Sequence, residues 1–81
     1  MKITFYGRLG DIIGREIVLV VPADVLTVRD LRRMLAGLYP LAAEDLDGPK
    51  LRACIGDTIV SDDFALVRVE AVEFFPPLSG G

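Results

Sequence analysis

The chain has 81 residues with one cysteine, no histidine and a formal net charge of −3, which predicts one small domain without a disulfide. This composition excludes Ser-His-Asp and Cys-His catalytic sites and a zinc site. It also argues against nucleic acid as a partner, and the apolar runs are too short for a membrane span. We therefore expect a cytoplasmic protein, and the apolar fraction of 52% indicates a contact surface for a partner protein.

The first part of the sequence predicts two strands joined by a loop. Residues 2–8 alternate between apolar and other side chains, as strands do. Residues 9–14 contain two glycines and an aspartate and predict a connection between strands. Residues 15–21 are rich in β-branched side chains and predict a second strand, which Pro22 ends.

Residues 27–39 contain an apolar stripe at helical spacing. Its members are Val28, Leu31, Leu35 and Leu38. Thr27, followed three residues later by Asp30, predicts a capping box at the start of this helix, and Pro40 predicts its end. Three arginines lie off the stripe, Arg29, Arg32 and Arg33. They predict a solvated helix face, with a binding face as the alternative.

The second part of the sequence predicts a short helical turn over 41–48 and strands over 50–56, 58–60 and 66–75. The order strand, strand, helix, strand, short edge strand, strand favours an α+β domain with a mixed sheet and the main helix on one face. That order is the β-grasp, or ubiquitin-like, arrangement.

Three features inside the domain allow more than one interpretation. Cys54 lies in an apolar strand, where packing is the expected role and a reactive thiol the alternative. The acids at 57, 62 and 63 are expected turn residues, with a cation site as the alternative. Strand alternation predicts that Tyr6 and Phe75 point away from the helix. These aromatic side chains are then either simply exposed to solvent or part of a docking face for a partner.

The chain ends in FFPPLSGG, residues 74–81. We predict a domain over 1–75 and an extended C-terminal segment over 76–81, which we call the tail. Two prolines fix φ and favour a stiff segment that cannot join the sheet. Two glycines fit a slot too narrow for other residues, so that a terminal carboxylate on Gly81 reaches into a partner enzyme. The alternative is a frayed end.

Four segments, distributed over nearly the whole chain, carry a resemblance to one family: ITFYGRLGDIIG, LTVRDLRRML, ACIGDTIV and VEFFPPLSGG. They resemble the ubiquitin-like sulfur carriers, the family of the small subunit of molybdopterin synthase, and the last segment is the most specific. Two departures concern turns. Gly56 stands where asparagine is common in that family, and VRVEAV replaces an acidic turn that contains glycine.

The resemblance implies that a ubiquitin-activating-type adenylyltransferase uses ATP to adenylate Gly81 and that a sulfur donor enzyme then converts it to a thiocarboxylate. The tail would enter the large subunit of molybdopterin synthase, whose catalytic groups act on cyclic pyranopterin monophosphate. This chain would be a non-catalytic subunit that binds no metal or cofactor itself. By position, the residues implied to contact partners are Phe75, Pro76, Pro77, Leu78 and Gly80.

Other functions remain open from the sequence alone. A carrier for thiamine thiazole synthesis or tRNA thiolation would use the same chemistry with a different acceptor. The Phe-Phe-Pro-Pro sequence before the end of the chain favours a carrier for molybdopterin synthesis. A ubiquitin-like modifier would join Gly81 to lysines, and the chain offers only Lys2 and Lys50 for linking copies of itself. A plain binding module would not need Gly81 at all.

Overall fold

The computed structural model describes residues 1–76. Its elements, in chain order, are β1 (Lys2–Phe5), α1 (Arg8–Ile13), β2 (Glu16–Val18), α2 (Val28–Leu38), a 3-10 turn (Pro40–Ala42), α3 (Ala43–Asp47), β3 (Arg52–Ile55), β4 (Thr58–Val60) and β5 (Ala71–Phe75). The five strands form one sheet in the order β2-β1-β5-β3-β4. The central pair β1 and β5 is parallel and the other neighbours are antiparallel, so the mixed sheet agrees with the predicted α+β order.

The core lies between α2 and one face of the sheet. Strand alternation turns Ile3, Phe5, Val72 and Phe74 to this face, and each is at most 1% exposed. The rings of Phe5 and Phe74 stack with centroids 5.8 Å apart. Burying side chains of this size contributes roughly 1.5–3 kcal/mol each, so the central strand pair is a main source of stability.

The main helix begins as its sequence predicts. The Oγ1 atom of Thr27 accepts a hydrogen bond from the Asp30 amide at 3.3 Å, and the Asp30 carboxylate accepts one from the Thr27 amide at 3.2 Å. This is the predicted capping box. The apolar stripe is buried at Val28, Leu31 and Leu35. Leu38, predicted to belong to it, is 54% exposed, because the helix ends at this residue.

Several predicted elements differ from the observed ones. The first strand ends at Phe5 instead of residue 8, and the second spans only Glu16–Val18 instead of 15–21. Residues 8–13 form the short helix α1 instead of a loop, because Leu9 is buried in the core and Ile12 and Ile13 pack against it. The last strand begins at Ala71, not at residue 66. The segment before it follows a separate course in which Arg68 has a positive φ of 61°, a conformation that interrupts an extended strand.

Arg32 does not belong to a solvated helix face. Its side chain is buried, its Nε atom donates to the Leu46 carbonyl at 2.7 Å, and its guanidinium also donates to the Gly48 carbonyl. The remaining contact is an ion pair with Asp62 at 2.9 Å. The guanidinium therefore joins α2 to the end of α3 and to the loop after β4, a role that the helical pattern alone does not reveal.

Candidate partner-binding site at the end of the sheet

The aromatic pair Tyr6 and Phe75 lies where the central strands end. Because β1 and β5 are parallel, their carboxyl ends meet at the same end of the sheet, and the Tyr6 amide extends the ladder with a hydrogen bond of 3.0 Å to the Phe74 carbonyl. Phe74 is fully buried, whereas the ring of Phe75 stacks on that of Tyr6 with centroids 4.5 Å apart and planes 6° apart. Both rings lie on the sheet face opposite the helix, as predicted.

Charged groups hold the Tyr6 ring in place. Its hydroxyl donates a hydrogen bond of 2.7 Å to the Glu73 carboxylate, and this bond raises the pKa of Tyr6 above its ordinary value of 10.0. The guanidinium carbon of Arg15 lies 5.9 Å from the ring centroid, within the range of a cation–π contact. Tyr6 is therefore fixed in orientation before any partner arrives.

The surface beside the aromatic pair is of mixed polarity, because the exposed Arg52 on the next strand pairs with Phe75. Cys54 pairs with Glu73 on one side and with Ile59 on the other, so all three side chains share the face of Tyr6 and Phe75. Cys54 is half-buried and Ile59 is 65% exposed. We call the surface formed by Tyr6, Cys54, Ile59, Glu73 and Phe75 the outer face.

The tail begins beside this outer face. Pro76 follows Phe75 directly, is exposed, and lies against Gly7. On its other side it lines a groove of about 540 Å³ together with Leu9, Leu51 and Lys50, among others. The chain thus leaves the sheet between an aromatic surface and an apolar groove, a position that suits entry into a second protein.

Two of the predicted site residues, Phe75 and Pro76, lie together at this position. The predictions for Pro77, Leu78, Gly80 and Gly81, and the boundary between domain and tail, concern residues outside the described part of the chain or depend on them. No sequence pattern identified the other residues at this site, which are Gly7, Arg15, Ile59 and Glu73. Ile59 could have been predicted, because residues paired across a hairpin point to the same face of the sheet and Ile59 pairs with Cys54. Gly7 could not, because its position beside Pro76 depends on the parallel pairing of strands that are distant in the sequence.

The acidic residues near the β3–β4 hairpin have other partners. Asp62 pairs with Arg32, and Asp63 pairs with Arg29 at 2.7 Å. Within residues 1–76, no group of three or more cysteine, aspartate or glutamate side chains is placed to hold a metal ion. In the same range, no helix has the length and apolar character that crossing a membrane requires.

The full length of the sequence matches known proteins. A sequence model of the ThiS family matches residues 3–81. The chain belongs to the ThiS family. A relative from Escherichia coli (strain K12), the molybdopterin synthase sulfur carrier subunit, is 35% identical over 81 residues, which is 100% of this chain and 99% of the relative. The resemblance to the ubiquitin-like sulfur carriers is confirmed.

The fold also matches a solved structure. The crystal structure of SAMP1 from Haloferax volcanii superposes with a TM-score of 0.79, covering 99% of this chain and 97% of that one, at 22% sequence identity. The match confirms the predicted β-grasp fold. It places the parallel central strands, and hence the outer face and Pro76, within a ubiquitin-like framework.

Proposed function

We propose that this chain is the sulfur carrier of a molybdopterin synthase and that its reacting group is the C-terminal carboxylate of Gly81. The observation that carries the proposal is the outer face beside Pro76, in a member of the ThiS family whose last two residues are glycines. In this proposal the outer face is the docking surface and Pro76 is the point of departure for the tail. These are the two parts that a carrier must supply when the catalytic groups belong to its partners.

The chemistry proceeds in two activated steps. A carboxylate oxygen of Gly81 attacks the α-phosphorus of ATP in an adenylyltransferase, and pyrophosphate leaves. A sulfur nucleophile at the oxidation level of sulfide then attacks the acyl carbon, and AMP leaves, so that a thiocarboxylate forms. Neither step needs a catalytic side chain from this protein, in agreement with a sequence that lacks histidine.

The thiocarboxylate then reacts in the large subunit of the synthase. Its sulfur attacks a carbon of cyclic pyranopterin monophosphate and displaces an oxygen substituent, so that a carbon–sulfur bond forms as a carbon–oxygen bond breaks. Hydrolysis of the acyl–sulfur bond then leaves sulfur on the product and returns Gly81 to a carboxylate. The outer face supports this step because it offers a fixed aromatic pair with adjacent apolar and charged groups, the composition typical of a protein interface. Docking there brings the start of the tail to the partner's surface.

The test is the intact mass of the chain after incubation with the adenylyltransferase, ATP and a sulfide-level donor. We expect a gain that corresponds to one sulfur replacing one oxygen, located at Gly81, and its loss when the large subunit and cyclic pyranopterin monophosphate are added. A variant extended by one residue beyond Gly81 is the matched control and gains nothing. An unchanged mass with an enzyme that activates a known carrier would refute the proposal.

A further inference from the structure

Gly7 and Pro76 approach each other more closely than any other residue type at position 7 would allow. A Cβ atom built on Gly7 would lie 2.8 Å from Cγ of Pro76, below the 3.0 Å that real Cβ atoms respect. The proline ring is closed onto the backbone nitrogen, so its Cγ atom has only the small displacement that ring puckering allows and cannot swing aside as the end of a long side chain would. Glycine at position 7 is therefore the condition for the observed position of Pro76.

The preceding residues hold the same segment from β1. The hydrogen bond from the Tyr6 amide to the Phe74 carbonyl continues the β1–β5 ladder past the last paired residues. Tyr6 stacks on Phe75, and Gly7 then contacts Pro76. Since proline has no amide hydrogen, the ladder stops at Pro76 without leaving an unpaired donor. We call Tyr6, Gly7, Phe75 and Pro76 the exit clamp.

Gly7 is itself fixed to the core. Its φ of 68° and ψ of −142° lie in a region that only glycine occupies at low cost. Its carbonyl accepts a hydrogen bond of 3.0 Å from the Gly10 amide at the start of α1, and α1 is anchored by the buried side chain of Leu9. The surface against which Pro76 rests is therefore rigid.

We infer that Gly7 is a positioning residue for sulfur transfer, because it seats Pro76 and thereby sets the direction in which the chain leaves the domain. The inference rests on the proposed function. Five residues follow Pro76, and an extended chain of that length spans about 17 Å. A change of direction at Pro76 is magnified over this distance, so a fixed exit reduces the conformational freedom lost when Gly81 reaches the active site of the large subunit.

A double-mutant cycle separates this role from backbone strain at position 7. The variants are Gly7→Ala, Pro76→Ala and the double variant, each prepared with a thiocarboxylate already on Gly81 so that activation is not needed. The strain that alanine suffers at the positive φ of position 7 is the same whether residue 76 is proline or alanine. The clash between the added Cβ atom and the proline ring exists only when Pro76 is present. Gly37→Ala is the control, because Gly37 lies on α2 and its added Cβ meets nothing within 4 Å.

The readout is sulfur transfer to cyclic pyranopterin monophosphate by the large subunit, with KM for the carrier and kcat measured separately and the folded fraction of each variant determined. We expect Gly7→Ala to raise KM about tenfold with little change in kcat. Pro76→Ala raises KM by a smaller factor, the further rise caused by Gly7→Ala is smaller when residue 76 is alanine than when it is proline, and Gly37→Ala matches the wild type.

Two results would overturn the inference. One is an unchanged KM in folded Gly7→Ala, or in Pro76→Ala if Gly7→Ala fails to fold. The other is an equal penalty for Gly7→Ala in both backgrounds, which assigns the whole effect to local strain. If wild-type thiocarboxylate transfers no sulfur, the proposed function fails and this inference fails with it; if the wild type transfers sulfur and the variants match it, only the inference fails.

Discussion

Arg68 adopts a backbone conformation that glycine adopts more easily. It lies in the VRVEAV segment, where the resemblance to the ubiquitin-like sulfur carriers implies a turn with glycine, and among the described residues outside the glycines it alone has a positive φ, 61°. An L-residue in this conformation costs roughly 1–2 kcal/mol. The turn is therefore made without glycine, but at an energetic cost. Gly56, the other departure, has a φ of 62°, which suits glycine and which asparagine also tolerates.

We expect Arg68→Gly to raise the free energy of unfolding by about 0.5–1 kcal/mol, because relief of the strained φ exceeds the added entropy of the unfolded chain. Urea unfolding followed by circular dichroism measures the change. Arg68→Ala is the matched control, because alanine keeps the strain and removes only the exposed side chain. Equal stability of the glycine and alanine variants would show that the conformation of residue 68 carries no strain.

Helix α2 depends on contacts at both its start and its middle. At the start, the Asp30 carboxylate accepts hydrogen bonds from the amides of Leu26 and Thr27, and the bond from Leu26 is the largest cause of a pKa below the ordinary value of 3.8. In the middle, Arg32 contacts two carbonyls and Asp62. Packing of the apolar stripe alone would specify neither the start of the helix nor its attachment to α3 and to the loop after β4.

The cap predicts a pH dependence of stability. Because the pKa of Asp30 is lower in the folded than in the unfolded chain, its contribution is fully present above about pH 4 and is lost as the pH falls through the folded pKa. We expect Asp30→Asn to unfold at a lower urea concentration than the wild type at pH 7, with the difference shrinking below pH 4. Asp24→Asn, in the loop before the helix, is the control. A difference that stays constant down to pH 2 would contradict this account.

Arg32→Ala tests the contact between α2, α3 and the loop after β4. Removing the guanidinium leaves the Leu46 and Gly48 carbonyls without this donor and creates a cavity, so we expect a loss of about 2–3 kcal/mol in unfolding free energy. Arg33→Ala, an exposed neighbour on the same helix, should change stability by less than about 0.5 kcal/mol. Chemical denaturation measures the free energy of unfolding of both variants. Similar losses of stability in the two would contradict a special role for Arg32.

The elements that could be predicted from sequence are those whose signals are local. The capping box and the stripe of α2 depend on residues within a few positions of one another, and so does the alternation of β1. The helix α1 has six residues, too few for a periodic signal. The burial of Arg32 depends on carbonyls 14 and 16 residues away. The contact of Gly7 with Pro76 depends on the pairing of the first and last strands.

On the scale of the whole molecule, the two ends of the sheet differ in what they present. At the carboxyl end of β5, the outer face adjoins Pro76. The exposed side chain of Ile59 lies on that face level with Glu73 in the middle of β5, because Cys54 pairs with both residues. At the other end, the loop before β5 exposes Val67, which is 75% accessible. Both are aliphatic side chains on the surface, so hydrophobicity alone does not identify the docking end. The proposed function assigns docking to the end where the tail begins.

A pair of charge substitutions distinguishes the two ends. We expect Ile59→Glu to weaken binding of the large synthase subunit by about tenfold or more, because a carboxylate would be desolvated within the interface. Val67→Glu places the same charge on a comparably exposed residue far from the tail and should leave the affinity unchanged. Both positions are exposed, so both variants should fold, which urea unfolding verifies. Titration calorimetry with the large subunit measures the two affinities. Equal weakening by both variants would point to a general effect of negative charge, and weakening by Val67→Glu alone would move the interface to the opposite end of the sheet.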